Sequence, residues 1–586
     1  MMSNLQIESP LLSFEFATAE GEIKPYTFSQ PEKVIVAYSV EEVIPSLQKI
    51  EKAVEKGYYA AGFLTYESAP AFDSAFKVKA GTHMPLLWFG LFSEVQNRSI
   101  QSSGYYQHSS WIPSVQRVGY DAAIDSIKRH IENGYTYQTN YTIRLQSEFK
   151  GDDIAFFNRL KKAQLSNYCA YIHTGEHSIL SASPELFFHL KGNKITTRPM
   201  KGTVKRGRTY SEDIEQREWL RNSAKDRSEN VMIVDLLRND LGMISEPGTV
   251  KVEQLFTIEQ YPTVHQMTST ITSTLSEHTS MIDIFKALFP CGSITGAPKI
   301  KTMEIISELE EEPREIYCGA IGYITPDKEA IFNVPIRTVW IDQKEGTATY
   351  SVGGGITWDS TSTGEYNEVV AKASFLREER KEFQLLETLL LEEGEFFLLE
   401  EHLQRLRSSA AFFGYSFAYE NLRENLVELA SSKCIGKWRV RLLLQETGEW
   451  TVEFYPIEDT GMKNQQVVVA DESVDNANPF LYHKTTNRSV YAYFQNKFPN
   501  AFDVLLWNEK GEITEFTNGN VVLEIEGKCW TPSVESGLLA GTFRRKLLSE
   551  GIIEEKVLTR ADLKLATKIW FINSVRKWVE VQLNKE

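Results

Sequence analysis

The chain has 586 residues, 42% hydrophobic and 24% charged, the make-up of a globular protein long enough for two or more domains. Its 79 acidic against 63 basic side chains leave a net charge of −16, which argues against a nucleic-acid or membrane-surface role. Any anionic substrate must be met by lysines and arginines placed locally. Five cysteines (Cys169, Cys291, Cys318, Cys434 and Cys529) stand apart with no C-x-x-C pair and no metal-ligand spacing, as expected of reduced core thiols. With neither a leader-like N-terminus nor an apolar run long enough for a membrane span, a cytoplasmic protein is expected.

Up to about residue 110, KVIVAY, GYYAAGFLTYESA and PLLWFGLF read as strands around one helical stretch from Val40 to Lys56. Three such runs predict antiparallel sheet, not a βαβ repeat, and they carry no catalytic grouping. An amphipathic helix is expected over Asp121–Asn133, stopped by Asn133-Gly134, ahead of a strand holding Gln138 and Asn140. The stretch SASPELFFHLKGNKITTRPMKGT, Ser181–Thr203, then reads as a β-hairpin about a Lys-Gly-Asn-Lys turn. Centring the turn between Gly192 and Asn193 sets Glu185 opposite Met200, and a one-residue slip sets it opposite Lys201. Taken alone, such a pair is a cross-strand ion pair worth roughly 0.2–1 kcal/mol.

In SAKDRSENVMIVDLLRNDLG, Val231, Val234, Leu237 and Leu241 recur at helical spacing, and Asp226 and Glu229 share a face of the first turns. His265, in YPTVHQMTSTI, lies among apolar residues, where structural histidines are common. PCGSITGAPKIKTMEII, which contains Thr295, is a glycine-rich loop entering a helix with Pro298 in its first turn, a setting where free N–H groups meet a carboxylate. FNVPIRTVW and YSVGGGITWDS read as two more strands. Arg337 offers a fork for a carboxylate, and Gly353, Gly354 and Gly355 let the backbone approach a ligand. In GEYNEVVAKASFL, Glu365, Glu368 and Lys372 face one side of a helix, either as a solvated face or as oxygen ligands for a cation.

The wording around the hairpin, SASPE followed by TRPMKGT, resembles the chorismate-utilising enzymes, the family of anthranilate, isochorismate and aminodeoxychorismate synthases. Six boxes in family order from Tyr120 to Leu376 carry the resemblance, which begins properly at Tyr120. The family's second box commonly reads PIAGT. Lysine at its alanine position, here Lys201, is typical of the aminodeoxychorismate branch. The resemblance implies an α+β domain of large antiparallel sheets with helices. It implies Lys201 and Glu185 as catalytic residues, and a magnesium ion on Glu229 and Glu368 with Glu365 and Asp226 beside them. It also implies a chorismate pocket of Arg337, Gly354, Gly355, His265, Thr295 and Lys372, with Gln138 and Asn140 in reserve. Asn230 stands where the family usually has histidine, a change common in the same branch.

REERKEF, Arg377–Phe383, reads as a junction, giving domains of 1–378 and 379–586. Beyond it, LLETLLLEEGEFFLLEEHLQRLRSSAAFFGY predicts a hairpin running into an amphipathic helix. EHLQRL, YHKTTNRSVY and GEITEFTNGN with the later GTFR resemble the fold-type IV pyridoxal-phosphate enzymes, again α+β. These are the branched-chain and D-amino-acid aminotransferases and aminodeoxychorismate lyase. The resemblance implies Lys484 as the Schiff-base lysine and Glu515 against the pyridinium nitrogen. Arg405 and the N–H groups of Thr542 and Phe543 would take the phosphate, and Arg576 a substrate carboxylate. The family's hairpin ahead of Glu387-Thr388 is missing, so the domain is a shortened version.

Together the resemblances imply a two-step synthesis of 4-aminobenzoate, a folate precursor. Chorismate is aminated to 4-amino-4-deoxychorismate, and pyruvate is then eliminated. An anthranilate-type synthase fused to an amino-acid aminotransferase is the alternative, which Lys201 disfavours. No cysteine sits in a G-x-C-x-G setting; Cys291 comes closest but belongs to the chorismate box. Ammonia is therefore expected from a separate glutamine amidotransferase subunit. Fold-type IV domains usually pair, so a homodimer through that domain is expected.

Overall fold

The computed structural model describes residues 9–18, 21–377, 380–433, 435–457 and 465–584. The expected boundary at 378/379 and Cys434 lie outside them. The chain forms two units, Met1–Lys205 with Glu218–Arg380, and Arg206–Arg217 with Lys381–Glu586. The short excursion 206–217, which the sequence patterns do not reveal, belongs to the second. No helix among the described residues is long and apolar enough to cross a membrane.

In the first unit, two ten-stranded antiparallel sheets face each other. Strands rich in aromatic residues bury one face against the opposite sheet, and Leu12, Phe14, Phe28, Phe63, Ile321 and Trp340 make that inner layer. Helices cover the outer faces. Val40–Val54, Ala224–Gly242 and Met281–Leu288 pack on one sheet, and Arg117–Glu132, Asp153–Gln164 and Ser362–Ala373 on the other. The three early runs do pair antiparallel, as Lys33–Ala37 with Leu87–Phe92 with Tyr59–Leu64. Two strands absent from the expectations, Leu11–Ala17 and Ile23–Ser29, close an edge of the other sheet.

Two expectations need correction. FNVPIRTVW is not one strand: Ala330–Asn333 lies in one sheet and Thr338–Asp342 in the other. Pro335 cannot donate to a ladder, and Arg337, at φ +52°, turns the chain between them. The hairpin keeps the expected register near its turn, with Lys191 opposite Lys194 and His189 opposite Thr196. It then slips the other way, putting Leu186 opposite Arg198, and ends there. After Pro199 a fresh strand, Met200–Lys205, pairs with Val264–Thr274. Glu185 and Lys201 are therefore not partners across a hairpin ladder.

The second unit begins with the expected hairpin, Leu385–Glu392 with Glu395–Phe397, joined through Gly394 at φ +82°. The helix Leu399–Phe413 follows and ends at Gly414, also left-handed. With Lys437–Leu444 and Trp450–Pro456 the hairpin makes a four-stranded antiparallel sheet. An eight-stranded mixed sheet holds Ile513–Phe516 and Asn520–Ile525.

Candidate active sites

Glu185 lies just past the strand His177–Ser183 and is 2% exposed. Its Oε1 accepts a hydrogen bond from Ser293 Oγ at 2.6 Å. Burial pushes its carboxyl up to about 7, although Ser293 and the nearby Lys201 ammonium pull the other way. A carboxyl so placed keeps its proton near neutral pH and can serve as an acid. Lys201 feels the same burial with the opposite sign: its amine is lowered, while the Glu229 and Glu185 carboxylates partly restore it. The two groups thus come within electrostatic reach of each other, through strand ends and not across a hairpin ladder. Ser293, inside the GSITGAPK box, is a contact that reasoning missed.

The glycine run explains how these side chains share space. Gly355 pairs with Asn140 across the ladder between Thr347–Ile356 and Gln138–Gly151. A Cβ on Gly355 would stand 1.7 Å from Gln138 Nε2 and 3.1 Å from Lys201 Nζ. On Gly354, which faces the other way, it would meet Glu365 Oε2 at 3.1 Å, Glu368 Oε1 at 3.7 Å and Lys372 Nζ at 3.8 Å. Gln138 and Asn140 are buried, and Gln138 Oε1 and Asn140 Nδ2 have no hydrogen-bond partner among the described residues. Gly355→Ala is expected to displace Lys201 or Gln138 and to cost roughly a hundredfold in chorismate consumption. Steady-state kinetics would check it, with pyridoxal-phosphate binding by the second unit as the control for folding.

The carboxylates gather on two helices. Glu229 is on Ala224–Gly242, and Glu365 and Glu368 are on Ser362–Ala373. Burial raises Glu229 and Glu365, with Asp226 and Glu365 adding to the rise of Glu229 and Glu368 to that of Glu365, whereas Lys372 lowers Glu368. Lys372 Nζ sits 2.6 Å from Glu368 Oε1 and donates to Gly353 O at 2.8 Å. Among the described residues no three acidic, histidine or cysteine side chains form a ready cation cage. Asp226 is turned to its helix cap, bonded with Ser223 and packed on Gly202. Arg337 spends one prong on Lys372 O at 2.7 Å. Thr295 is buried, with its hydroxyl 3.3 Å from Gly292 O, and His265 is buried on the strand beside Met200–Lys205. Pro298 stands immediately before the helix Lys299–Leu309, one place ahead of expectation.

In the second unit, burial together with Arg488 and Arg405 lowers the Lys484 amine to about 7. Such a lysine is substantially neutral near pH 7 and can act as nucleophile and base. Glu515 accepts from Tyr491 Oη at 2.7 Å and from Asn520 Nδ2 at 3.3 Å, and burial pushes its carboxyl up to about 7. Arg405 forks onto Glu387, and its third prong lies 3.4 Å from Ala540 O, next to the start of the helix Thr542–Ser549. Lys484, Glu515, Arg405 and Thr542 are thus assembled in one unit. Arg576 is exposed, stacked on Phe502 at 5.3 Å.

Two facing antiparallel sheets jacketed by helices, with an acid and a lysine at the strand ends, define a fold shared with known synthases. Anthranilate synthase component I from Streptococcus pneumoniae superposes with a TM-score of 0.50 at 22% identity, over 64% of this chain and 94% of that one. The chain belongs to the chorismate binding enzyme family, whose model matches residues 12–378. That match begins well ahead of Tyr120, because the early strands build both sheets without carrying a box. Residues 384–583 match the amino-transferase class IV model, a fold that supports pyridoxal phosphate. Aminodeoxychorismate synthase component 1 of Klebsiella aerogenes is 41% identical over 266 residues, 45% of this chain and 58% of that protein. Anthranilate synthase component 1 of Saccharolobus solfataricus is 34% identical over 274 residues, 47% of this chain and 65% of that protein. The chain therefore covers little more than half the length of such relatives.

Proposed function

We propose that the chain makes 4-aminobenzoate from chorismate in two steps, amination to 4-amino-4-deoxychorismate in the first unit and elimination of pyruvate in the second. The observation that carries this reading is the buried Glu185 beside the half-buried Lys201, an acid held up to about 7 near an amine lowered by desolvation. Lys201 attacks C2 of the chorismate ring while Glu185 gives its proton to the departing C4 hydroxyl, which leaves as water. Ammonia then adds at C4 and expels the lysine. An anthranilate-type synthase needs no lysine at this position.

Glu229, Glu365 and Glu368 do not form a closed cage as they stand, but they are the residues whose chemistry suits a magnesium ion. They are hard oxygen donors, Glu365 is repelled by Glu368 and itself raises Glu229, and the Lys372 ammonium already lies beside Glu365 and Glu368. They would hold the ion, which would supply an anchor for the ring carboxylate; Asp226 stays with its cap. In the second unit, pyridoxal phosphate supplies the electron sink. Lys484 moves the proton at the ring carbon bearing the amine, and Glu515 would hold the cofactor by its pyridine nitrogen.

The reading places the enzyme in the cytoplasm, where the free thiols of Cys169, Cys291, Cys318 and Cys529 stay reduced. It pairs the chain with a glutamine amidotransferase subunit that binds the first unit, and with a second copy through the second unit. Burial pushes the Cys291 thiol up to about 12, so it is a poor candidate for a glutaminase nucleophile. The purified chain, given chorismate, magnesium, pyridoxal phosphate and ammonium, is expected to release 4-aminobenzoate and pyruvate, with hardly any product from glutamine. At a fixed concentration of free ammonia, the rate should fall above about pH 7 as Glu185 loses its proton. Anthranilate as the product, or robust glutamine use unaffected by a partner, would sink the corresponding part of the reading.

A further inference from the structure

The hydroxyl that opens the helix Thr542–Ser549 is held by a side chain to which none of the steps above gives a role. His402 Nε2 lies 3.1 Å from Thr542 Oγ1, and His402 Nδ1 lies 2.7 Å from Glu387 Oε2. The same carboxylate accepts two prongs of Arg405, Nε at 2.8 Å on Oε1 and an Nη at 2.6 Å on Oε2. All four side chains are buried. One carboxylate therefore orients both the guanidinium and, through the imidazole, the first residue of the helix.

The proton positions follow from the chemistry of the partners. Burial alone would raise Glu387, but Arg405 and His402 hold it down to about 2, so it is ionised and can only accept. His402 Nδ1 must then carry a proton. Burial lowers His402 below its ordinary range, which keeps the ring neutral and makes Nε2 an acceptor. Thr542 spends its hydroxyl proton on that nitrogen and has none to offer an anion. What remains for an anion is the third prong of Arg405 and the N–H groups of the first helical turn.

We propose that Glu387 and His402 are positioning residues for the phosphate of pyridoxal phosphate, presetting Arg405 and the start of the helix Thr542–Ser549 as one rigid anion receptor. The proposal rests on the second unit being a pyridoxal-phosphate enzyme. Groups already locked in place lose little freedom when the anion arrives, which is where such a brace contributes affinity.

The test is the dissociation constant of the full chain for pyridoxal phosphate and for pyridoxal, which lacks the phosphate, by absorbance titration. Glu387→Gln is expected to weaken pyridoxal phosphate about tenfold or more and pyridoxal by less than about twofold. His402→Asn keeps an amide for Glu387 but cannot reach Thr542, and should weaken pyridoxal phosphate about threefold, again sparing pyridoxal. Equal losses for both vitamers would mark a merely structural role and overturn the proposal, as would unchanged pyridoxal-phosphate affinity in Glu387→Gln. If Glu387→Gln shows no cooperative melting, the vitamer ratio in His402→Asn decides by the same criterion. A wild-type chain that binds neither vitamer would overturn the reading of the second unit itself, and the proposal with it.

Discussion

Lys201→Ala is expected to lower formation of 4-amino-4-deoxychorismate by about a thousandfold or more. The side chain lies over Gly355 beside Gln138, feels both Glu185 and Glu229, and is lowered by burial, the condition a neutral nucleophile needs. Alanine removes the amine proposed to bond to C2 before ammonia arrives. Ammonia is then left to attack C2 directly, so anthranilate should persist or appear while the 4-amino product vanishes. Chromatography of the ammonium-driven reaction, in an excess of pyridoxal phosphate, distinguishes the two. Full retention of 4-amino-4-deoxychorismate synthesis would remove the covalent role of Lys201 and leave it an electrostatic one. The substitution should not reach the second unit, whose cofactor absorbance serves as the control.

Lys484→Ala is expected to abolish the second step and spare the first. The amine is held near neutrality by burial between Arg488 and Arg405, and Glu387 and Glu515 only partly oppose them. Without it, borohydride should trap no pyridoxal phosphate on the chain, and 4-aminobenzoate release should fall about a thousandfold or more. Chorismate should still be consumed, with 4-amino-4-deoxychorismate accumulating in place of 4-aminobenzoate. Release of 4-aminobenzoate at the wild-type rate would show that Lys484 is not the residue that bonds the cofactor. A requirement for 2-oxoglutarate in the wild type would instead favour an amino-acid aminotransferase in the second unit.

Much of this arrangement can be read before any fold is known. The run SASPE…PMKGT, the GSITGAPK loop and the helix of Glu365, Glu368 and Lys372 are local patterns whose spacing already implies strand, loop and helix. The helix Ser362–Ala373 and the hairpin running into Leu399–Phe413 form as their periodicity predicts. Where the pattern is interrupted, local reading fails. Pro335 and Arg337 divide one apparent strand between two sheets, and Pro199 ends a hairpin whose length would otherwise set Glu185 opposite Met200.

The sequence by itself carried the order of two domains and the residues proposed as their reactive groups, lysine in place of alanine at 201, and Lys484 ahead of Asn487-Arg488. Those are matters of covalent order and local period, which a chain carries whether folded or not. The tertiary structure alone decided which distant groups touch. Gly355 has room for Gln138 and Lys201 because a ladder brings two strands more than 200 residues apart into register. Glu387 clasps Arg405 and His402 because a strand and the helix after it pack across one core. Burial then sets the charge states, raising Glu185 and Glu515 and lowering Lys201 and Lys484. Desolvation depends on everything packed around a group and on nothing in its immediate sequence.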